Sequence, residues 1–263
     1  MKVHHLNCGT MAFGFVDHCL LVETPNSGLV LVDTGFGLEC IRNPRLLGWT
    51  RHAIGPVLRE SETAVRQIAA LGYDPADVRH VLLTHLDYDH TGGLADFPSA
   101  TVHVHVHGPE LRASRQPTVV DRIRYRTAQL CGHGVNWQIN ELDGGEPWFG
   151  FDAVRDLNGL PPEILVVPLY GHTRGHVGVA VDTGNGWLLH AGDAYTEPHA
   201  IGSGPLTTAS RAMHMITAHP SRPRAQWQNM RRLTELVAEQ AGDVTVFCSH
   251  DTSAFARLAR QVV

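Results

Sequence analysis

The sequence has no basic excess. Its 26 acidic residues outnumber 21 basic ones, a net charge of -5 over 263 residues. Nucleic-acid-binding chains ordinarily carry surplus positive charge, so that class loses ground. No apolar run approaches the roughly 18 residues that a membrane span requires. The longest are Gly28–Val32 (GLVLV) and Ile164–Tyr170 (ILVVPLY). The opening MKVHHLNCGTM places two histidines where a signal peptide would carry its apolar segment, so no leader is expected. There is no CxxC, and the five cysteines (Cys8, Cys19, Cys40, Cys131 and Cys248) are odd in number. That usage favours a reducing cytoplasm as the compartment. Low-complexity tracts and Pro/Gly/Ser-rich linkers are also missing, so residues 1–263 read as a single domain. With 43% hydrophobic and 18% charged residues, the composition is that of an ordinary globular protein. What stands out is histidine, 18 against eight phenylalanines. Histidine is the commonest transition-metal ligand.

Short apolar runs separated by turn residues predict strands at Phe15–Val22, Leu29–Val32, His80–Thr84, Thr101–Val106, Ile164–Val167, Val177–Val181, Trp187–His190 and Val244–Cys248. Ser61 is expected to cap a helix with Ala64, Val65, Ile68 and Leu71 on one face, ended by Gly72. A second amphipathic helix carries Trp227, Met230, Leu233 and Val237, and a third follows from Ser253 with Phe255 and Leu258. Strands mixed with helices throughout imply a layered α/β domain. Residues 36–60 and 112–160 show little periodicity and read as long loops beside a site.

The informative segment runs Leu83-Thr84-His85-Leu86-Asp87-Tyr88-Asp89-His90-Thr91-Gly92-Gly93. An apolar strand ends directly in four ligand-type side chains, His85, Asp87, Asp89 and His90. Desolvating all four in a buried turn demands a cationic partner, and a transition metal is the economical one. Three later strands repeat the layout, leading into His172, Asp193 and His250. Ligands at strand ends share one rim, where α/β folds commonly place their sites.

These ordered motifs resemble the metallo-β-lactamase superfamily, whose signature is HxHxDH followed by separate GH, D and H ligands. The segment LGYDPADVRHVLLTHLDYDHTGGLADFP, Leu71–Pro98, is especially similar to the N-acyl homoserine lactonase branch. The resemblance implies a four-layer αββα sandwich with a dinuclear site. It would place His85, Asp87 and His172 on the first metal, and Asp89, His90 and His250 on the second. Asp193 would bridge both, and Asp33 would sit behind the ligands and orient their loop. It also implies a hydrolase in which a metal-bridging hydroxide opens an ester-type bond and Asp89 shuttles the proton. A lactone ranks ahead of a thioester of the glyoxalase II type. The cofactors would be two divalent ions, zinc first, with iron or manganese as alternatives. The partner expected is a small-molecule substrate, with no nucleic acid and no membrane. Dimers are common among the relatives, so a homodimer is an open expectation.

Two departures matter. Asp87 stands where the family usually has histidine. Asp87, Asp89, Asp193 and a hydroxide would then cancel two divalent cations, predicting a weaker Lewis acid than the histidine form. An Asp87→His variant would be expected to move the acidic limb of the pH–rate profile downward. The family's substrate-binding tyrosine lies three residues past the bridging aspartate. Here Tyr195 is two past it and Thr196 holds the third place. Tyr195 is therefore either a donor to the substrate carbonyl or packing in the site wall.

Other features have two readings each. His176 either contacts the ligands from behind or lines the pocket, and His190 reads as structural. In Thr101–His107 the alternating valines and histidines favour a half-buried strand over a metal stripe. Arg112, Arg115, Arg122, Arg124 and Arg126 suit either a substrate carboxylate or phosphate, or a solvated face. Trp49, Trp137, Trp148 and Phe149 either wall an acyl pocket or anchor loops. Two other classes compete with a hydrolase. One is a non-haem diiron oxidoreductase, which would need a separate electron donor. The other is an idle metal-binding or sensor protein, against which seven intact ligand positions argue.

Overall fold

The computed structural model describes residues 1–105, 114–118, 121–131, 134–140, 144–153, 157–196, 198–201 and 223–260. Strands buried on both faces read as continuous apolar runs, and here those runs build two stacked sheets. The first sheet has six strands in sequence order. They are β1 (Lys2–Thr10), β2 (Val16–Glu23), β3 (Leu29–Val32), β4 (Val78–Leu83), β5 (Thr101–His105) and β6 (Asn136–Asn140). The β1–β2–β3 meander is antiparallel, and β3 to β6 run parallel. A hairpin of β7 (Glu146–Trp148) and β8 (Phe151–Ala153) leads to the second sheet. That sheet holds β9 (Ile164–Pro168), β10 (Val177–Asp182), β11 (Trp187–His190) and β12 (Val244–Phe247), ordered β12-β11-β10-β9.

Alternation along the strands sorts the apolar side chains into layers. Val30, Val32 and Leu82 meet Ile164, Val166, Val177, Val179 and Leu188 between the sheets. Leu29, Leu31, Val81 and Leu83 face the other way, where Ala64 and Ile68 of helix α3 (Ala64–Ala70) cover them. Leu165, Val167, Ala180 and Leu189 are covered by Met230, Leu233 and Leu236 of helix α6 (Pro223–Glu239). The result is a four-layer αββα sandwich, as expected. Helix α7 (Thr252–Leu258) closes the inter-sheet core with Ala254 and Leu258. Its first turn is capped by Asp251 Oδ1, which accepts from Ser253 N and Ala254 N. Among the described residues, no helix is long and apolar enough to cross a membrane.

Several expectations change. The opening residues form the longest strand of the first sheet, β1, because Val3, Leu6 and Cys8 bury one face while histidines interrupt the apolar pattern. Thr63, not Ser61, precedes α3, and its side chain makes no capping bond. Leu71 lies beyond the last turn and is 43% exposed, so it does not share the buried face. Strand β5 is central and parallel, and His103 is buried along with Val102 and Val104, so the strand is not half-exposed. His103 Nε2 and His80 Nδ1 share a hydrogen bond of 2.9 Å instead. Val106 lies outside the described residues.

The segment at 36–60 holds helices α1 (Leu38–Arg42) and α2 (Arg51–Ile54) around a small core of Phe36, Cys40, Leu47 and Tyr88. The later poorly periodic segment supplies helix α5 (Thr127–Cys131) and three strands. The short turn α4 (Tyr88–Thr91) carries part of the motif. All five cysteines are free.

Two outcomes follow. Ile68 is fully buried, so Ile68→Ala is expected to cost about 2–5 kcal/mol in urea unfolding. Leu71→Ala should stay within about 0.5 kcal/mol; equal losses would contradict the packing described. Burial also holds His5 and His103 down to about 4, with neighbouring histidines adding to the effect. An unfolded histidine titrates near roughly 6.5. Between those values the unfolded chain binds protons that the folded chain does not, so stability falls as pH drops through that window. The metal-free protein should lose stability from pH 6.5 to 4, and His103→Gln should flatten the decline. An unchanged slope would show that His103 is protonated in the fold.

Candidate metal centre

The C-terminal ends of β3, β4, β9, β11 and β12 converge on one rim, and each hands a polar side chain to it. After β3, Asp33 adopts a positive φ of 56°, a conformation aspartate tolerates better than most residues. Its carboxylate accepts from Thr84 N at 2.8 Å, Thr84 Oγ1 at 2.7 Å and His90 Nδ1 at 2.8 Å. Thr84 Oγ1, having donated to Asp33, accepts from His85 Nδ1 at 3.0 Å. One carboxylate thus fixes both rings, leaving His85 Nε2 and His90 Nε2 aimed at the site. His250 is fixed the same way, its Nδ1 donating to Val16 O at 2.9 Å.

His176 acts from behind. Its Nδ1 donates to Leu169 O at 2.9 Å and its Nε2 accepts from Asp193 N at 2.8 Å. Both ring nitrogens are consumed, so His176 positions Asp193 rather than facing the cavity. Burial, with the charge of His85 next, keeps His176 neutral. Gly192, at φ 54°, allows this approach; a Cβ there would lie 2.6 Å from His176 Nε2. His190 donates to His18 O and is structural, as read.

The facing atoms form two groups of three, His85, His172 and Asp193, and Asp89, His90 and His250. Each group's ligand atoms lie within 4.8 Å of one another. Asp87 Oδ2 stands 3.3 Å from His85 Nε2 and 3.1 Å from His172 Nε2. Asp193 lies between the groups, with Oδ1 3.4 Å from His90 Nε2 and Oδ2 3.1 Å from His250 Nε2 and 3.5 Å from His172 Nε2. Ligand atoms around one tetrahedral divalent ion are about 3.3 Å apart, so these spacings fit a metal in each group. His85 Nε2, His90 Nε2 and Asp193 Oδ1 are buried with no hydrogen-bond partner, as atoms reserved for a cation would be.

The structure adds two residues to this set. Arg124 is the one that matters among the arginines flagged in the sequence; Arg112 lies outside the described residues. Its Nε donates to Asp87 Oδ1 at 3.0 Å and its Nη2 to Asp87 Oδ2 at 2.7 Å, a bidentate pair. The same Nη2 donates to His172 Nε2 at 2.6 Å. Burial opposes the charge on Asp87, yet Arg124 and His85 hold its carboxyl well below the usual range. Burial and then Arg124 hold His172 down to about 3. The charge count made from sequence omitted this cation. Asp87 with Arg124 is net neutral, as an imidazole would be, so the weaker Lewis acid expected relative to the histidine form has no charge difference behind it. An Asp87→His substitution still removes one negative charge beside Arg124, so the downward shift of its acidic limb stands as an expected outcome.

Asp17 is the second addition. It is fully buried on β2, its Oδ1 3.5 Å from His250 Nδ1, with neither oxygen hydrogen-bonded. Burial, reinforced by Asp89, pushes its carboxyl well up, toward the neutral acid. An aspartate inside the apolar run VDHCLLV was the available signal.

Above the centre lies a cavity of about 450 Å³. Its floor includes Asp87, Asp89, Arg124, His172, Asp193 and His250. Its walls are Met11, Phe13, Phe15, Trp49, Ile54 and Ile123. Phe13 is 95% exposed at a positive φ of 61°, and Trp49 is 65% exposed. Trp137 and Trp148 instead pack in the cores. Tyr195 does not line the cavity. It lies in the turn that follows β11 and is 2% exposed in the core behind the second sheet, beside Cys248. The catalytic role considered for Tyr195 is therefore withdrawn. Thr196 does line the cavity, and its Oγ1 is buried without a hydrogen-bond partner.

Residues 13–250 match the family model of the metallo-beta-lactamase superfamily. The chain belongs to that superfamily. It is 44% identical over 99% of its length to a Mycobacterium tuberculosis protein named a probable metallo-hydrolase, covering 83% of that relative. An N-acyl homoserine lactonase of Azorhizobium caulinodans is 32% identical over 75% of this chain and 73% of its own. Among solved structures, an N-acyl homoserine lactone hydrolase with bound N-hexanoyl-L-homoserine superposes with a TM-score of 0.70 at 21% identity. That match covers 97% of this chain and 95% of the other.

Asp33→Ala would leave His90 Nδ1, Thr84 N and Thr84 Oγ1 without their acceptor. Zinc affinity, read by competition with a chromophoric chelator, is expected to fall tenfold to roughly a hundredfold. Breaking the buried pair should also destabilise the fold by about 3 kcal/mol. Unchanged affinity would mean that the histidines keep their orientation without Asp33.

Proposed function

We propose that this chain is a dinuclear metal-dependent hydrolase of ester-type bonds, with a lactone as substrate. The observation that carries this reading is the juxtaposition of two ligand groups, with Asp193 between them, and a cavity of about 450 Å³ whose walls are mostly apolar. Similarity to named N-acyl homoserine lactonases supports the choice of a lactone. His85, Asp87, His172 and Asp193 would hold one ion, and Asp89, His90, His250 and Asp193 the other. Imidazole and carboxylate donors in this mixture suit zinc, with manganese and iron also compatible. When bound, two divalent ions activate water and polarise a carbonyl.

The protein's own groups supply the rest. Phe13, Phe15, Trp49 and Ile54 offer apolar surface along which an acyl chain lies, leaving the ring carbonyl over the charged floor. Thr196 Oγ1 is placed to donate to the carbonyl oxygen as negative charge develops there. Asp89, at the cavity floor and partly exposed, takes the proton at its carboxylate and returns it to the departing alkoxide.

The test is a substrate panel of acyl homoserine lactones of increasing chain length, simple γ-lactones, glutathione thioesters and a β-lactam. Lactone hydrolysis should dominate, disappear after chelation and return with zinc or manganese. Thr196→Val should lower kcat about tenfold or more with little change in KM, since it removes a contact made mainly in the transition state. Faster thioester turnover, or no lactone turnover by the metal-loaded protein, would overturn the assignment.

A further inference from the structure

We propose that Arg124 competes for the first metal position, so that the two positions fill in order and with unequal affinity, the Asp89/His90/His250 position first. This rests on the dinuclear reading above. An imidazole nitrogen has one lone pair, and that of His172 Nε2 is taken by Arg124 Nη2 at 2.6 Å. A metal on His172 needs the same lone pair. The guanidinium also engages both oxygens of Asp87. Filling this position therefore requires Arg124 to release His172, while its Nε can keep Asp87 Oδ1.

No such competitor marks the other position. Among the described residues, the ion pairs of Asp89 and His250 run to each other, Asp17 and Asp193, with no arginine or lysine. Nor can Arg124 drift far from its post. Its backbone oxygen accepts from Tyr88 N at 3.2 Å, and its backbone nitrogen donates to Asp121 O at 3.0 Å. Two residues on, Arg126 donates to Leu47 O and Thr50 Oγ1, with its guanidinium 4.5 Å from the centre of the Tyr88 ring. The segment is thus tied to Tyr88 of the ligand loop at both Arg124 and Arg126. Arg124 is a positioning residue. It satisfies Asp87 and His172 while one ion is bound, and it makes the second ion the exchangeable one.

The experiment measures stepwise zinc binding to the metal-free full chain by chelator competition. The wild type should bind two equivalents, the second at least tenfold weaker. R124M should tighten that second step tenfold or more and leave the first within about threefold. R124K, which keeps the charge but loses the planar fork, should fall between. H250A should lose the tight step and keep the weak one. Two equivalents of equal affinity in the wild type would overturn the ordering while leaving the dinuclear reading intact. A second step unchanged or weakened in R124M would also overturn it, making Arg124 a support of Asp87. Less than one equivalent in every variant would remove the dinuclear reading and the proposal together. If R124M does not fold, the wild-type isotherm and the R124K comparison decide.

Discussion

Crowding carboxylates away from water is the constraint to which the rest of this structure answers. Asp17, Asp33, Asp87 and Asp193 are each less than a tenth exposed, within one small region at the rim of the sheets. An isolated buried carboxylate is too costly to persist in its charged form, and each of these four meets that cost differently. Asp33 spends its oxygens on Thr84 and His90. Asp87 takes an arginine. Asp193 is surrounded by His90, His172 and His250. Asp17 accepts no hydrogen bond, has only His250 at 3.5 Å, and is pushed toward its neutral form. The imbalance that remains at Asp193 and the unpaired histidine nitrogens is what points to cations.

The two-sheet architecture makes such crowding tolerable, because it fixes His85, His90, Asp193 and His250 without using their metal-facing atoms. Asp33 leaves β3 and reaches across to the loop after β4, its neighbour in the parallel part of the first sheet. His176 pins Asp193 after β11, and Val16 O on β2 pins His250 after β12. The His85–His90 pair, Asp193 and His250 are thus oriented from three separate parts of the sandwich. Disorder in any one strand end would propagate to the centre through these hydrogen bonds.

The strands and their layers were legible because both sheet faces are buried, leaving apolar runs such as Leu29–Val32 with sharp ends. β1 was not, since His4, His5 and Asn7 interrupt the pattern, and their partners come from β2 and elsewhere in the fold. Ligand-type residues were visible as polar residues directly after apolar strands. The roles of Arg124 and Asp17 were not, because each depends on a contact far away in sequence, to Asp87 and to His250. Tyr195 shows the opposite failure. Its place in the motif suggested chemistry, but it lies in the turn beyond β11, where Tyr195 packs into the core and the next residue, Thr196, lines the cavity.

That offset and the Asp87–Arg124 pair have the same logic. In both cases one residue differs from the resembling family's pattern while the local physics is conserved. A neutral carboxylate–guanidinium pair replaces a neutral imidazole, so the net charge beside the first position is unchanged while its accessibility is not. A threonine hydroxyl faces the cavity where the family places a phenol, so a donor is kept but with shorter reach. In the proposed reaction a shorter donor would need the carbonyl closer to Thr196, and Phe13, Phe15, Trp49 and Ile54 line the same cavity. The substrate's apolar part then contributes to positioning as well as to affinity.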